Sequence, residues 1–286
     1  MIIAVCADKG SPGVTTLATA LALAWPGERI LLEADVAGGD LAFRARRPDS
    51  DDFLAPEPTI LELAAASRLP LPPDALPSHA LPTNWGFPLI QGPPAQQAYA
   101  PLRGLWPGVA REAARWSGMI IADLGRLQPG HPGIAIARAA SVVLILGRED
   151  AAGLYHLRER VLDLSAAVGD TSRARNPVGV VLRCKDTYQR QTERQVAHLL
   201  AVAGSPVPVA GVFVDEPIPV AALNSGHVTR RVSGSRTLNS VRQLIRTIVA
   251  TWPEVGPGVG AAASQGDDPS PPLIDLTDRQ PHEAAR

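Results

Sequence analysis

A glycine-rich turn links the first apolar run of the chain to its first helical pattern. The run Ile2–Ala7 is short, apolar and rich in β-branched residues, which predicts a buried strand. The run Thr15–Trp25 has a helical pattern and stops at a Pro-Gly pair. Gly10 and Gly13 lie in the turn between them and permit a close backbone approach. A helix that begins after such a turn aims its backbone N–H groups at one point, so the sequence predicts an anion site there.

Three polar side chains are candidates for a Mg²⁺ site beside this turn. Thr15 places a hydroxyl where a phosphate-binding loop needs its Mg²⁺ ligand. Asp35 and Asp123 each end a predicted strand, in agreement with the register of the loop, although both could be ordinary residues near turns. A separate metal site is not expected because the histidines show no ligand spacing. The six histidines are His79, His131, His156, His198, His227 and His282.

The rest of the chain repeats an alternation of strands and helices. Helices are predicted near residues 151–168, 187–202 and 237–252. Near-continuous apolar strands separated by helices are typical of an α/β fold with a doubly wound, mostly parallel sheet that helices flank. The further predicted strands are residues 29–35, 118–123, 141–146, 178–182 and 207–214.

Composition shifts divide the chain into one large domain and a tail. We expect a domain over residues 1–253, with a proline-rich insertion at about 44–105. Within that insertion only Thr59–Ser67 has a clear helical pattern, so the remainder is predicted to be long surface connections. Residues 254–286 contain six acids and two arginines among many glycines and prolines, and we expect them to be disordered.

The overall composition excludes several classes of protein. The chain has 286 residues with 27 Lys+Arg and 28 Asp+Glu, a net charge of −1, which argues against coating nucleic acid with the whole surface. No apolar run approaches the roughly 18 residues of a membrane span, and no signal-peptide pattern opens the chain. Two cysteines cannot form a disulfide framework. These observations predict a cytoplasmic protein.

The turn resembles a known nucleotide-binding motif. Residues 9–16 resemble the deviant Walker A motif of the ParA/MinD family, K-G-G-x-G-K-[ST]-T. Lys9 matches the signature lysine, which in that family reaches across a dimer to the partner's phosphates. Val14 stands where the family has the ordinary phosphate-loop lysine, and Ser11 replaces a glycine. The other matching positions are Gly10, Gly13, Thr15 and Thr16.

Carboxylates along the chain extend the resemblance over most of residues 1–250. Asp35 stands in place of the carboxylate that organises Mg²⁺ and the attacking water, while Glu33 replaces the first aspartate of the family's D-x-D. Asp123 looks like the Walker B aspartate, and Gly125 looks like the switch glycine. Residues 38–40, Gly-Gly-Asp, are similar to those of TadZ/CpaE-type members, which position pilus or secretion machinery.

Two later positions bear on the base of a nucleotide. Residues 207–215 resemble the strand and loop that precede the family's adenine-side contacts, which places Asp215 there. Arg183 stands where members often have an asparagine beside the adenine.

The resemblance implies a P-loop NTPase-like fold that binds ATP and Mg²⁺. Asp35 and Lys9 would be catalytic, and Thr15, Asp35 and Asp123 would hold the metal. Without a lysine at Val14, a deviant loop is expected to hydrolyse ATP weakly or not at all, because losing one transition-state donor typically costs about 10²–10³ in rate. The implied nucleotide-binding set is Gly10, Ser11, Gly13, Val14, Thr15, Thr16 and Asp215.

Three functions fit these residues. The first is a dimeric pseudo-ATPase that organises a pilus or secretion apparatus, recruited by a protein partner to a cell pole or the inner membrane. The second is a chromosome or plasmid partitioning ATPase that binds DNA non-specifically through basic residues near its C-terminus. The third is a catalytically dead scaffold that binds partners through residues 44–105. The basic residues are Arg230, Arg231, Arg236, Arg242 and Arg246, which could instead form a solvated face or bind an acidic partner or tail.

Overall fold

The sheet predicted from the apolar runs is present and entirely parallel in a computed structural model of the chain. The structure describes residues 1–7, 13–72, 74–102, 104–128, 130–169, 176–185, 189–202, 204–205 and 207–256. The tail that we expect to be disordered lies almost wholly outside these ranges.

Seven strands of the described residues form one sheet in the order β3-β2-β4-β1-β5-β6-β7. Each neighbouring pair runs parallel, so all seven carboxyl ends lie along one edge of the sheet. The strands are β1 Ile2–Ala7, β2 Arg29–Glu33, β3 Leu89–Ile90, β4 Met119–Arg126, β5 Val142–Arg148, β6 Val178–Cys184 and β7 Val209–Val214.

Helices cover both faces of the sheet, because side chains of a buried parallel strand alternate between two apolar layers. In β1, Ile2 and Ala4 face one layer, whereas Ile3 and Val5 face the other. The described helices are α1 Val14–Ala24, α2 Ile60–Ala66, α3 Trp106–Arg115, α4 Ile134–Ala139, α5 Ala151–Val168, α6 Gln189–Val202, α7 Pro217–Asn224, α8 Arg230–Ser233 and α9 Arg236–Thr251. Helices α2 to α6 pack on the first layer, and α1, α7, α8 and α9 pack on the second. This arrangement confirms the α/β fold class.

The insertion is more ordered than its proline content predicts. Helix α2 confirms the predicted helix, and Thr59 caps it through a reciprocal pair of contacts with Glu62. The prediction of surface connections elsewhere was wrong for residues 81–91, because β3 lies at the sheet edge and Trp85 and Phe87 are buried. A segment without helical or strand periodicity can still fill a core when isolated apolar side chains meet neighbours that are distant in sequence.

Among the residues that the structure describes, no helix combines the length and the apolar character that crossing a bilayer requires.

Candidate functional site

Helix α1 begins at the carboxyl edge of the sheet, after the residues that follow β1. Gly13 precedes the helix in a left-handed conformation, with φ 97° and ψ 34°, which glycine adopts without strain. No described side chain caps the helix at this end. The first-turn N–H groups and the positive end of the helix dipole therefore remain to be satisfied from outside the helix, as an anion would do.

Asp123 lies in β4 beside this helix start. Its side chain is 0% exposed, and Oδ1 accepts a hydrogen bond from the N–H of Gly125 at 3.0 Å. Oδ2 is also buried and has no hydrogen-bond partner among the described residues. Burial raises the pKa of Asp123 to about 6, although the side chain of Thr15 favours the carboxylate and lowers this pKa. A carboxylate so strongly desolvated is a good ligand for a cation, and the Thr15 side chain is close enough to it to influence its pKa.

Asp35 follows β2 and joins this pair. Its carboxylate raises the pKa of Asp123 by repulsion, so the two charges are close, and it packs against the Cα of Gly125. Asp35 Oδ1 accepts a hydrogen bond from the N–H of Ala37 at 2.9 Å, which holds the side chain at the end of its strand. Burial raises the pKa of Asp35, while nearby His131 lowers it. The structure thus brings Thr15, Asp35 and Asp123 together.

These three side chains fit Mg²⁺ better than they fit a metal held by protein alone. Within the described ranges there is no group of three His, Cys, Asp or Glu side chains that could hold a metal ion. Mg²⁺ is usually held by one or two carboxylates, with phosphate oxygens and water as the other ligands. One hydroxyl and two carboxylates, one of which has a buried oxygen without a described partner, match that pattern.

A cavity of about 240 Å³ opens beside Asp35. Arg126 and His131 line it together with Asp35, so its wall contains both signs of charge. No pattern in the sequence singles out His131, because Asp35 and Gln96, which line the same cavity, are distant from it along the chain. Only the fold brings these residues together.

Glu33 has a structural task that the sequence did not reveal. Its Oε1 accepts hydrogen bonds from the N–H groups of Asp40 and Leu41 at 2.7 and 2.9 Å, and its Oε2 accepts one from Gly92 at 2.8 Å. Burial nevertheless raises the pKa of Glu33 to about 7, since only 2% of the residue is exposed. Glu33 therefore ties the Gly-Gly-Asp segment to the insertion rather than facing a ligand.

Arg183 and Asp215 form an ion pair at the ends of β6 and β7. Arg183 Nε donates a hydrogen bond to Asp215 Oδ2 at 3.0 Å, and Nη2 lies 2.8 Å from the same oxygen. The guanidinium also lies against Gly13: a Cβ built on that glycine would be 3.0 Å from Arg183 Nη1. Arg183 thus links Asp215 to the start of α1. No sequence pattern signals the contact between Arg183 and Gly13, which are 170 positions apart.

The remaining residues of the predicted loop have different positions. Lys9, Gly10 and Ser11 lie outside the described residues, so their predicted roles stay predictions. Val14 is 2% exposed and belongs to the apolar layer beneath α1. The hydroxyl of Thr16 donates to Asn224 Oδ1 of α7 at 2.7 Å and is already engaged within the protein.

The basic residues predicted as a DNA surface lie on α8 and α9. Most of them are exposed, whereas Arg242 is partly buried. Arg242 donates to the carbonyl of Ser233 at 2.9 Å, and Arg246 donates to Gln243 Oε1 at 2.7 Å. Helix α9 packs against α1, so this surface and the candidate site share one face of the sheet.

Comparison with known proteins shows that this chain is similar in fold to several solved structures. No protein-family model matches the sequence, and no curated protein matches it. A ParA family ATPase from Chlorobium tepidum superposes with a TM-score of 0.66 at 15% identity, over 84% of this chain and 96% of the other. MinD from Pyrococcus horikoshii, solved with Mg-ADP, gives a TM-score of 0.62 at 16% identity, over 86% of this chain and 95% of that one.

A third solved structure extends the same likeness. A single-residue variant of McdA from Cyanothece, solved with ATP, gives a TM-score of 0.60 at 18% identity, over 88% of this chain and 96% of the other. At such identities the likeness concerns the fold, since one fold can carry unrelated functions. The chain has the α/β fold of the ParA and MinD ATPases over more than four fifths of its length.

Proposed function

We propose that this chain binds Mg-ATP at the start of α1 and acts as a ParA/MinD-like spatial organiser with weak or absent hydrolysis. The observation that carries the proposal is the buried Oδ2 of Asp123, which has no described partner and lies beside Thr15. The structural neighbours from Pyrococcus horikoshii and Cyanothece were solved with Mg-ADP and with ATP, which supports the choice of ligand.

Each residue of the site has a stated part in this proposal. The N–H groups that open α1 would bind phosphate oxygens, and Thr15 and Asp123 would hold Mg²⁺, whose charge offsets that of the phosphates. Asp35 would orient the attacking water. The side chain of Val14 offers no donor to the phosphates. Stabilisation of the negative charge in the transition state would therefore depend on Lys9 from a second copy, as an arginine finger acts in trans.

The decisive experiment is a titration of the full chain with Mg-ATP in which calorimetry measures binding and light scattering measures the mass. We expect saturable binding together with a change from monomer to dimer mass. Lys9→Ala should abolish the dimer, and Lys185→Ala is the matched control because Lys185 is exposed and is the only other lysine. Absence of binding at millimolar Mg-ATP would refute the proposal and favour the scaffold hypothesis.

The apparatus that such an organiser serves is a finer proposal. The likeness of residues 38–40 to TadZ/CpaE-type proteins favours a pilus or secretion machine reached through a protein partner. A fluorescent fusion expressed in the native cell should then form a focus at a pole or at the inner membrane. A fusion that instead spreads over the nucleoid would contradict this assignment.

The basic surface supports a second candidate function, a DNA-partitioning ATPase. Arg230, Arg231 and Arg246 are exposed on α8 and α9, as non-specific phosphate contacts require. Retention on DNA that falls steeply with salt, together with DNA-stimulated ATP hydrolysis, would favour this candidate. Replacing these three arginines with glutamine should then remove the retention, and equal retention of the variant would exclude a role for this surface.

A further inference from the structure

We propose that the arginines of α8 and α9 form a docking surface for an acidic segment of the same chain, residues 257–286. The inference goes beyond the proposed function, because it concerns a different surface and needs no bound nucleotide. It also chooses among the interpretations that the sequence leaves open for these arginines. The basic face, as we call this surface, consists of Arg230, Arg231, Arg242 and Arg246.

Contacts within the protein hold the two helices of the basic face together. The guanidinium of Arg242 on α9 donates to the carbonyl of Ser233, the last residue of α8, at 2.9 Å. Arg230 and Arg231 lie just before that carbonyl on α8, and both are exposed. Arg246 is also exposed and follows Arg242 by four residues, which places both on one face of α9. The fold therefore gathers four positive charges on neighbouring helices.

The basic face has no partner of opposite charge among the described residues. None of its four arginines forms an ion pair with any of them. Residues 217–253 contain five arginines and no acid. Glu216, which precedes this stretch, accepts from the N–H and the hydroxyl of Thr237 at 2.9 and 3.2 Å and is therefore engaged at the start of α9.

The positions of these charges are unfavourable without an acidic partner. Like charges four residues apart on a helix repel each other, as Arg242 and Arg246 do. Positive charge on α8, just before α9 begins, also opposes the dipole of α9. An acidic partner on the basic face would relieve both effects.

The segment that follows α9 has the complementary charge. Residues 257–286 have a net charge of −3, whereas residues 217–253 have a net charge of +5. The segment therefore offsets more than half of the positive charge that precedes it. Its five acids are Asp267, Asp268, Asp275, Asp278 and Glu283.

The distance along the chain allows the segment to reach the basic face. Gly256, the last described residue, lies against Val249 of α9, so the segment starts beside this helix. Eleven residues separate Gly256 from Asp267, and such a length spans up to roughly 36 Å when extended. Helix α9 has 16 residues and is only about 24 Å long. The acids can therefore reach the whole length of α9.

The covalent connection favours this segment over a partner in solution. A partner joined by a short linker acts at an effective concentration in about the millimolar range. Ion pairs at an exposed surface are weak one by one, so they hold separate molecules together poorly. Within one chain the same pairs do not have to overcome the dilution of a free partner.

The test compares the full chain with two variants that each lose three negative charges. The tail variant brings the net charge of residues 257–286 from −3 to 0. Its substitutions are Asp267→Asn, Asp275→Asn and Asp278→Asn. The control variant changes three exposed acids, two of which are on α5 in the other helical layer. Its substitutions are Asp74→Asn, Glu159→Gln and Asp163→Asn.

The measurement is the rate at which phenylglyoxal modifies each arginine in the absence of nucleotide, read by peptide mass spectrometry. Arg148, whose side chain is 66% exposed, is the internal reference. We expect Arg230, Arg231 and Arg246 to react about three- to thirtyfold faster in the tail variant than in the unaltered chain, the range of three exposed ion pairs. About 1 M salt should remove this difference, because the Debye length falls to about 3 Å.

Several results would overturn the inference. Equal rates in the unaltered chain and the tail variant would show that the segment does not cover the basic face, and salt-dependent retention on a DNA duplex would then identify the face as a DNA surface. An equal acceleration in the control variant would show that only net charge matters. Protection that disappears when the protein is diluted would assign the face to a second copy. Because no nucleotide is present, the inference can fail while the proposed binding of Mg-ATP stands.

Discussion

Replacing Asp123 with asparagine should make the ligand-free protein more stable and should weaken the proposed binding of Mg-ATP. Asparagine keeps the shape of the side chain and the oxygen that accepts from Gly125. It also removes a negative charge whose burial is unfavourable and which the side chain of Thr15 stabilises only in part. A residue kept for structure alone would not show such opposed effects, because a stabilising substitution would carry no functional cost.

The size of the gain follows from the pKa. Burial raises the pKa of Asp123 from 3.8 to about 6, and each pKa unit corresponds to about 1.4 kcal/mol. The buried charge therefore costs up to about 3 kcal/mol at pH 8, and the new amide would return about 1 kcal/mol of it if left without an acceptor. We expect a net gain of about 1–3 kcal/mol, or about 2 to 10 °C in Tm for a domain of this size.

The raised pKa of Asp123 also fixes how the stability gain depends on pH. A carboxyl group with a raised pKa destabilises the fold where it is ionised, above about pH 6, and no longer does so below 3.8, where it is protonated in both states. The advantage of Asp123→Asn should therefore be full at pH 8 and should shrink as the pH falls through 6. Chemical denaturation at pH 8 and pH 5 measures the difference.

Asp150 provides a control for which the opposite change in stability is expected. Asp150 accepts a hydrogen bond from the N–H of Gly153 at the start of α5, and that bond lowers its pKa. Asp150→Asn should therefore destabilise the protein slightly at pH 8. The reasoning is refuted if Asp123→Asn is less stable than the unaltered protein at pH 8, or if Mg²⁺ enhances its nucleotide binding as before.

Three further substitutions test other parts of the structure. Gly125→Ala should weaken Mg-ATP binding and cost about 1–3 kcal/mol, because its Cβ would collide with the carboxylate of Asp35 at a φ of 54°. Gly27→Ala is its control, since φ is 78° there but the space is open; equal binding by both variants would contradict the account. The free energy of unfolding should fall as the pH rises from 4.5 to about 7, because Glu33 is easier to bury when it is protonated. Glu33→Gln should remove up to about 3 kcal/mol of this pH dependence. Urea denaturation at each pH measures the difference. Thr59→Ala should cost about 1 kcal/mol by removing the cap of α2, with unchanged nucleotide affinity as the check that the insertion acts on stability alone.

Local patterns accounted for the strands and helices that frame the site. The apolar run of β1, the turn at Gly13 and the helical pattern of α1 are contiguous, so periodicity and turn chemistry suffice to predict them. Asp35 and Asp123 could be expected together because parallel strands end at one edge. Periodicity did not reveal β3, which has only two residues and depends on pairing with β2.

The order of residues along the chain was enough to specify the α/β alternation and the place of the candidate anion site, because each depends on residues that are close in sequence. The two carboxylates beside that site followed from the rule that parallel strands end at one edge of the sheet. Only folding in three dimensions brings Arg183 to Gly13, turns Glu33 to three backbone N–H groups and sets His131 beside Asp35. These contacts join residues from separate strands and loops, and their geometry depends on strand order and on the packing between them. Local propensity determines neither the strand order nor this packing.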